Sequence, residues 1–284
     1  MNKNYIPTLC VLLGASMWGF IGIFVNRLPN TTAFELLAIR SLVSAIGLLI
    51  CIFVKDKELF KINIRDIWLF LGTGVVSFGA YTVFYTNAIR LTSMSTAVVL
   101  LYTSPVFVTV MAALFFKEKL NLTKIIAVVG AFCGCVLICG FSKAGALGIV
   151  SGLMSGFCYA LYSIFGAVAV KKYHSLTVTF YTFVFAFLFS VPFVNWQDFI
   201  MYSGDTSAVF WFLMYAVFCG LLPYLLYTYG LSKMPSSNAA IMACVEPVVA
   251  TVLGTVVVGE NISLFQIAGI LLVLGAVFIL QIKK

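Results

Sequence analysis

Charge is what this sequence has least of. Only 9% of its 284 residues are Asp, Glu, Lys or Arg, against 63% hydrophobic. A soluble domain carries about 25% charged and 45–50% apolar residues. A chain of this size in water exposes too much surface to cover with so few polar groups, so lipid is the matching solvent. Histidine is almost missing, His174 being the single one, and it falls between two apolar runs where a solvated role is expected. That removes a Ser/His/Asp triad and an H-E-x-x-H zinc helix. No G-x-x-x-x-G-K-[ST] loop is present, so no phosphate-gripping ATP motor is encoded. Also lacking are a filter-like glycine loop and a ring of charges. A passive channel or facilitator is therefore a weaker reading than a carrier, and an intramembrane enzyme weaker still.

Cysteine is plentiful, with eight residues, yet these do not read as a disulfide set. All lie in or beside apolar runs, and the C-x-C pair Cys133 and Cys135 lacks the partners of a zinc site. They are expected as reduced packing residues; no metal and no cofactor is called for. The net charge of +8 comes from Lys and Arg clustered between apolar runs. That is the positive-inside pattern, not a basic face interleaved with aromatics, so no nucleic-acid partner is expected.

Hydropathy and breakers predict spans at 5–25, 32–54, 67–89, 93–116, 123–141, 145–170, 175–194, 208–230, 236–258 and 263–282. Each meets the roughly 17–25 apolar residues a crossing helix needs, and runs without period-two alternation argue for helices over a barrel. The first run has no A-x-A cleavage site and is read as a retained helix. With the N-terminus cytoplasmic, 13 Lys and Arg fall inside and three outside (Arg27, Arg90 and Lys143), with Arg40 in the membrane. Both termini are thus predicted to be cytoplasmic, in the cell (plasma) membrane. The longest outside loop, Asn195–Ser207, has no basic residue, and its Trp196, Phe199 and Tyr202 suit the headgroup layer.

The chain also overlays itself at an offset of half its length. Pro105 meets Pro247, Glu118 meets Glu260, Tyr85-Thr86 meets Tyr227-Thr228, and Gly14 meets Gly156. The expected fold is all-α integral membrane, with about ten transmembrane helices as two inverted five-helix repeats, residues 1–142 and 143–284. Five crossings is an odd number, so the halves enter the membrane in opposite senses, a plan of secondary transporters with the cargo site near the midplane.

Several motifs recur in both halves: Ser104-Pro105-Val106 with Glu246-Pro247-Val248, and Lys117-Glu118-Lys119-Leu120 with Gly259-Glu260-Asn261-Ile262. With Gly14-Ala15-Ser16-Met17-Trp18-Gly19 in the first helix, these make the chain resemble the EamA-type branch of the drug/metabolite transporter superfamily over nearly its whole length. The resemblance implies ten helices, a central cavity, and export of amino acids or related small amphipathic metabolites by alternating access. Two departures stand out: Lys117 replaces the usual glycine before the helix-end glutamate, and nothing in the second half matches Arg40.

Glu246 is the sharpest candidate residue. A charge near mid-membrane costs at least about 2.5–3.5 kcal/mol, so Glu246 must face the interior, pair, or carry a proton. It is read as a site for a coupling proton or a cationic cargo group, against the alternative of a structural carboxyl. Pro105 and Pro247 free the carbonyls of Leu101 and Ala243, which points to a cavity between the fourth and ninth helices or to curvature for packing. Arg40 is expected to make a structural or gating contact. Trp18, Tyr81, Tyr85, Tyr102, Tyr159, Tyr162, Tyr224 and Tyr227, with Asn87, serve either as core or as cavity lining. Glu118 and Glu260 read as caps on adjoining turns. The Gly148/Gly152/Gly156 and Gly130/Gly134 spacings permit close helix packing, inside a monomer in preference to a homodimer.

Overall fold

A computed structural model of the protein describes residues 5–28, 31–140, 145–259 and 261–282. Glu260, Lys143, Lys3, Lys283 and Lys284 lie outside these residues, as does the side chain of Phe199. Ten long helices run through the described part. They are α1 (Tyr5–Val25), α2 (Ala33–Lys55), α3 (67–91), α4 (94–116), α5 (Leu122–Cys139), α6 (Ala146–Ala169), α7 (Ser175–Phe193), α8 (Thr206–Leu231), α9 (Ser236–Val257) and α10 (Leu264–Ile282). A short helix, Trp196–Ser203, lies in the connection before α8. The boundaries follow local chemistry. Thr32 and Glu35 form a reciprocal capping box at the start of α2, and Asn121 caps α5 through the Lys124 N–H. Such caps satisfy the orphan N–H groups of a helix start. His174 does the same for α7 by accepting the Leu176 N–H at 3.1 Å.

The outer surface is apolar: Val54, Leu114 and Leu264 are 81%, 71% and 83% exposed. In water such a surface would drive association; against hydrocarbon it is matched. Hydroxyls inside the helices are satisfied by their own backbone, as in Thr82 to Phe78 O, Thr86 to Thr82 O and Thr251 to Pro247 O. This is how Ser and Thr lie in a helix at little cost. All eight cysteines are free, and Cys135, Cys158, Cys219 and Cys244 are buried.

Packing pairs α2 with α7, α5 with α10, α4 with α9, α3 with α6 and α1 with α8. Exchanging each helix of the first half with its counterpart in the second leaves this set of pairs unchanged. Local irregularities recur at the same offset. Both α4 and α9 break just before their prolines, at Tyr102 and Cys244. Wide π-type turns interrupt α3 at Gly72–Ala80 and α8 at Val217–Leu221. Lys117 and Gly259, also an offset pair, both take positive φ, +54° and +82°. The glycine stripes pack inside the molecule: a Cβ on Gly134 would meet Gly269 O at 2.7 Å, and one on Gly156 would meet Leu100 O at 2.7 Å.

One expectation changes. Glu118 does cap a helix, but not an adjoining one: its carboxylate reaches the start of α9 in the other half. The reason is geometric, because the left-handed turn at Lys117 directs the chain after α4 across to α9.

Candidate functional site

The breaks in α4 and α9 face each other at the centre of the bundle. Glu246 sits two residues past the α9 break and shares the cavity wall with Tyr102, at the α4 break. Ser104 occupies the position in α4 that Glu246 occupies in α9, and both line one cavity. Its wall comes from α1 (Trp18), α3 (Phe78 and Tyr81), α4 (Tyr102, Ser104 and Pro105), α6 (Tyr159 and Tyr162), α8 (Tyr224 and Tyr227) and α9 (Glu246). Those are three helices from each half, and each has its counterpart in the set. Glu246 is the single ionisable carboxylate on this wall among the described residues, and no lysine or arginine joins it.

Rings fill the centre rather than empty space. Trp18 lies 4.9 Å from Tyr224 and 5.5 Å from Tyr227, centroid to centroid, and Phe78 lies 4.8 Å from Tyr224. Tyr81 contacts Tyr159 at 5.4 Å. These are the tilted spacings aromatic pairs prefer. The void left between them is about 20 Å³, room for a water molecule or so. The conformation is therefore closed around its site. Buried phenols need partners and two find them across α6 and α8: Tyr162 Oη with Thr228 Oγ1 at 2.6 Å, and Tyr227 Oη with Ser163 Oγ at 2.8 Å. The Trp18 indole N–H is buried with no hydrogen-bond partner, a free donor at the cavity wall.

Arg40 stands behind this wall. Its guanidinium lies 5.2 Å from the Phe78 ring centre and 5.8 Å from that of Tyr224. Among the described residues no carboxylate lies within ion-pairing distance, and its Nε is unpartnered. The cation is held by ring faces, and Gly220 on α8 leaves room for its stem, since a Cβ there would meet Arg40 Cγ at 2.6 Å. Arg40 thus braces two rings that line the cavity and does not line it, in keeping with a structural contact.

Of the residues singled out from sequence, Glu246, Trp18, Tyr81, Tyr102, Tyr159, Tyr162, Tyr227 and Pro105 come together here, with Tyr224. Tyr85 stands off the wall, stacked on Tyr81 at 5.5 Å. Pro247 accompanies the α9 break but is not on the wall. Asn87 is a correction: it is exposed and belongs to no part of the site. Two residues beyond Tyr85, it points roughly 200° around the helix. Ser104 and Phe78 were missed. Ser104 had a signal, as the repeat partner of Glu246; Phe78 had none beyond being one of 27 phenylalanines.

The EamA-like transporter family model matches the chain twice, at residues 6–140 and 146–282. The protein belongs to this family: it is a multi-pass membrane transporter, and the family domain is duplicated in it. An "uncharacterized transporter" of Archaeoglobus fulgidus is 28% identical over 224 residues, covering 79% of this chain and 81% of that protein. The "uncharacterized inner membrane transporter YicL" of Salmonella typhimurium is 25% identical, covering 100% of this chain and 98% of its own length. A crystal structure covering 97% of both chains superposes with a TM-score of 0.81 at 14% identity, a likeness of fold.

Proposed function

We propose that the protein is a secondary transporter that exports a small amphipathic metabolite, an amino acid or related compound, by alternating access. The halves are inverted repeats meeting near residues 142 and 143, with both termini in the cytoplasm and the chain in the cell membrane. Cargo passes through the one cavity between the halves. The observation that carries this reading is the composition of the wall: three helices from each half, and a lone carboxylate set beside the facing breaks of α4 and α9. Two broken helices side by side supply hinges at cargo depth. A site closed on itself favours a carrier over an open pore.

In this reading Glu246 takes a proton or a cationic group of the cargo in one state and releases it in the other. Tyr102 positions the carboxylate, and the rings of Trp18, Tyr224 and Tyr227 hold the apolar body of the cargo. The Trp18 N–H serves one of its acceptors.

The test begins with metabolite profiles of cells with and without overexpression, read in the medium and in the cytoplasm. The compound that moves is then followed in proteoliposomes with wild type and Glu246→Gln. A pH gradient is expected to drive uphill flux in wild type and to lose that effect in the variant. Full gradient drive in Glu246→Gln rules out the coupling role.

A further inference from the structure

At one end of the bundle, α4 and α9 are tied together by a single side chain. Glu118 Oε1 accepts the Ser236 N–H at 3.0 Å and the Ser236 hydroxyl at 3.1 Å. Its Oε2 accepts the Ser237 hydroxyl and the Lys124 ammonium, the latter at 3.0 Å. One carboxylate thus gathers four donors from two helices. The Glu118 and Lys124 side chains are only 14% and 10% exposed, so water and salt screen the pair little.

Three facts set this contact apart from an ordinary cap. First, α9 has no cap of its own. Its N-cap residue is Pro235, with no side-chain bond, whereas α4 starts with Ser93 Oγ accepting the Thr96 N–H. The start of α9 is therefore satisfied from the other half of the molecule. Second, the stretch it holds, Ser236–Ala243, is separated from the rest of α9 by the break at Cys244. Ala240 and Ala243 on this stretch wall the cavity, about 15 Å being the rise from Ser236 to Glu246. Third, the repeat is unequal here. At the offset, Ser236, Ser237 and Lys124 correspond to Met94, Ser95 and Gln266. Gln266 does not reach outward as Lys124 does; its Oε1 accepts the Ser263 N–H at the start of its own helix.

We propose that Glu118 is the gate-positioning residue of this transporter: it fastens the first segment of α9 to the end of α4 and holds that mouth of the cavity shut. Opening there requires the three bonds to Ser236 and Ser237 to break so that Ser236–Ala243 swings about Cys244. The opposite mouth lacks the lysine, so the resting equilibrium favours the conformation closed at the Glu118 end. This rests on the alternating-access reading but needs no knowledge of the cargo.

Native Cys244 reports the state, because it lines the cavity and is 1% exposed. Alkylation of Cys244 by a membrane-impermeant maleimide is followed by mass spectrometry in vesicles of each orientation. Glu118→Gln is expected to raise the rate from the Glu118 face about tenfold, the effect of losing one charge-assisted hydrogen bond, and to lower it from the opposite face. A misfolded variant raises both. Glu118→Cys with Ser237→Cys, once oxidised to a disulfide, is expected to abolish labelling from the Glu118 face until a reductant is added. An unchanged Cys244 rate in Glu118→Gln, or labelling from the Glu118 face in the cross-linked protein, overturns the proposal. Absence of flux with the side-specific shift intact would instead refute the transport reading.

Discussion

Glu118 and Glu246 are two of nine acids, and their surroundings give them different chemistry. Glu118 sits beyond the end of α4. Burial alone would push its carboxyl up, but the bonds from Ser237 and Lys124, the Lys124 charge and the bond from Ser236 together hold it below the ordinary 4.5. A depressed carboxylate contributes its stability above its unfolded value and loses it as pH falls through the folded one. The other charged groups around it are Lys119, Lys171 and Lys233. Cys244 labelling from the Glu118 face, corrected for reagent chemistry, should therefore be flat between about pH 6 and 8. It should rise only under acid conditions below 4.5. A midpoint near neutrality would mean that another group governs the contact.

Lys117 is the second residue whose setting predicts an outcome. Its φ of +54° is the left-handed region, which costs a residue with a Cβ about 1–2 kcal/mol. Glycine avoids that cost but loses roughly 0.5–1 kcal/mol of chain entropy. Lys117→Gly should thus stabilise by about 0.5–1 kcal/mol, seen as a higher melting temperature in detergent. A drop would show that the Lys117 side chain makes a contact worth more than the strain.

Among the elements, α5 and α10 pack more closely than side chains would allow. Gly134 and Gly269 oppose each other, each with the other's carbonyl oxygen under 3.0 Å from where its Cβ would stand. Gly134→Ala should force the pair apart and cost about 1–3 kcal/mol, read as a lowered melting temperature with the helix content kept. These two helices line no part of the cavity, so the variant should bind cargo once folded. The element level was also the most legible in the sequence. All ten helices fall within a few residues of the predicted spans, because lipid forces long apolar runs and Lys, Asp and Pro clusters end them. The breaks at Tyr102 and Cys244 were signalled by Pro105 and Pro247. What the sequence could not give was direction around each helix at close range. Tyr81, Tyr85 and Asn87 looked like one group, yet only Tyr81 reaches the wall. Phe78 and Arg40 form a stacked pair from different helices, which no spacing encodes. The reach of Glu118 to Ser236 spans 118 positions and depends on the left-handed turn at Lys117.

At the scale of the whole molecule, duplication explains why the site lies where it does. A pairing of helices that survives exchange of the halves places α1, α3, α4 and their counterparts around one central seam, leaving α2, α5, α7 and α10 outside. The cavity wall is built from related helices, but the chemistry of the two halves is not symmetrical: Ser104 stands where Glu246 stands in the other half, and Met94 and Gln266 where Ser236 and Lys124 do. Duplication supplies two related halves, and those few differences make them unequal. The most direct measurement of this account is solute release from proteoliposomes loaded with a cell metabolite extract, followed by mass spectrometry. Wild type should release one chemical class selectively and with saturation, and an excess of that class outside should accelerate the exchange. Release of all small solutes alike, or release no faster than from empty liposomes, would contradict it.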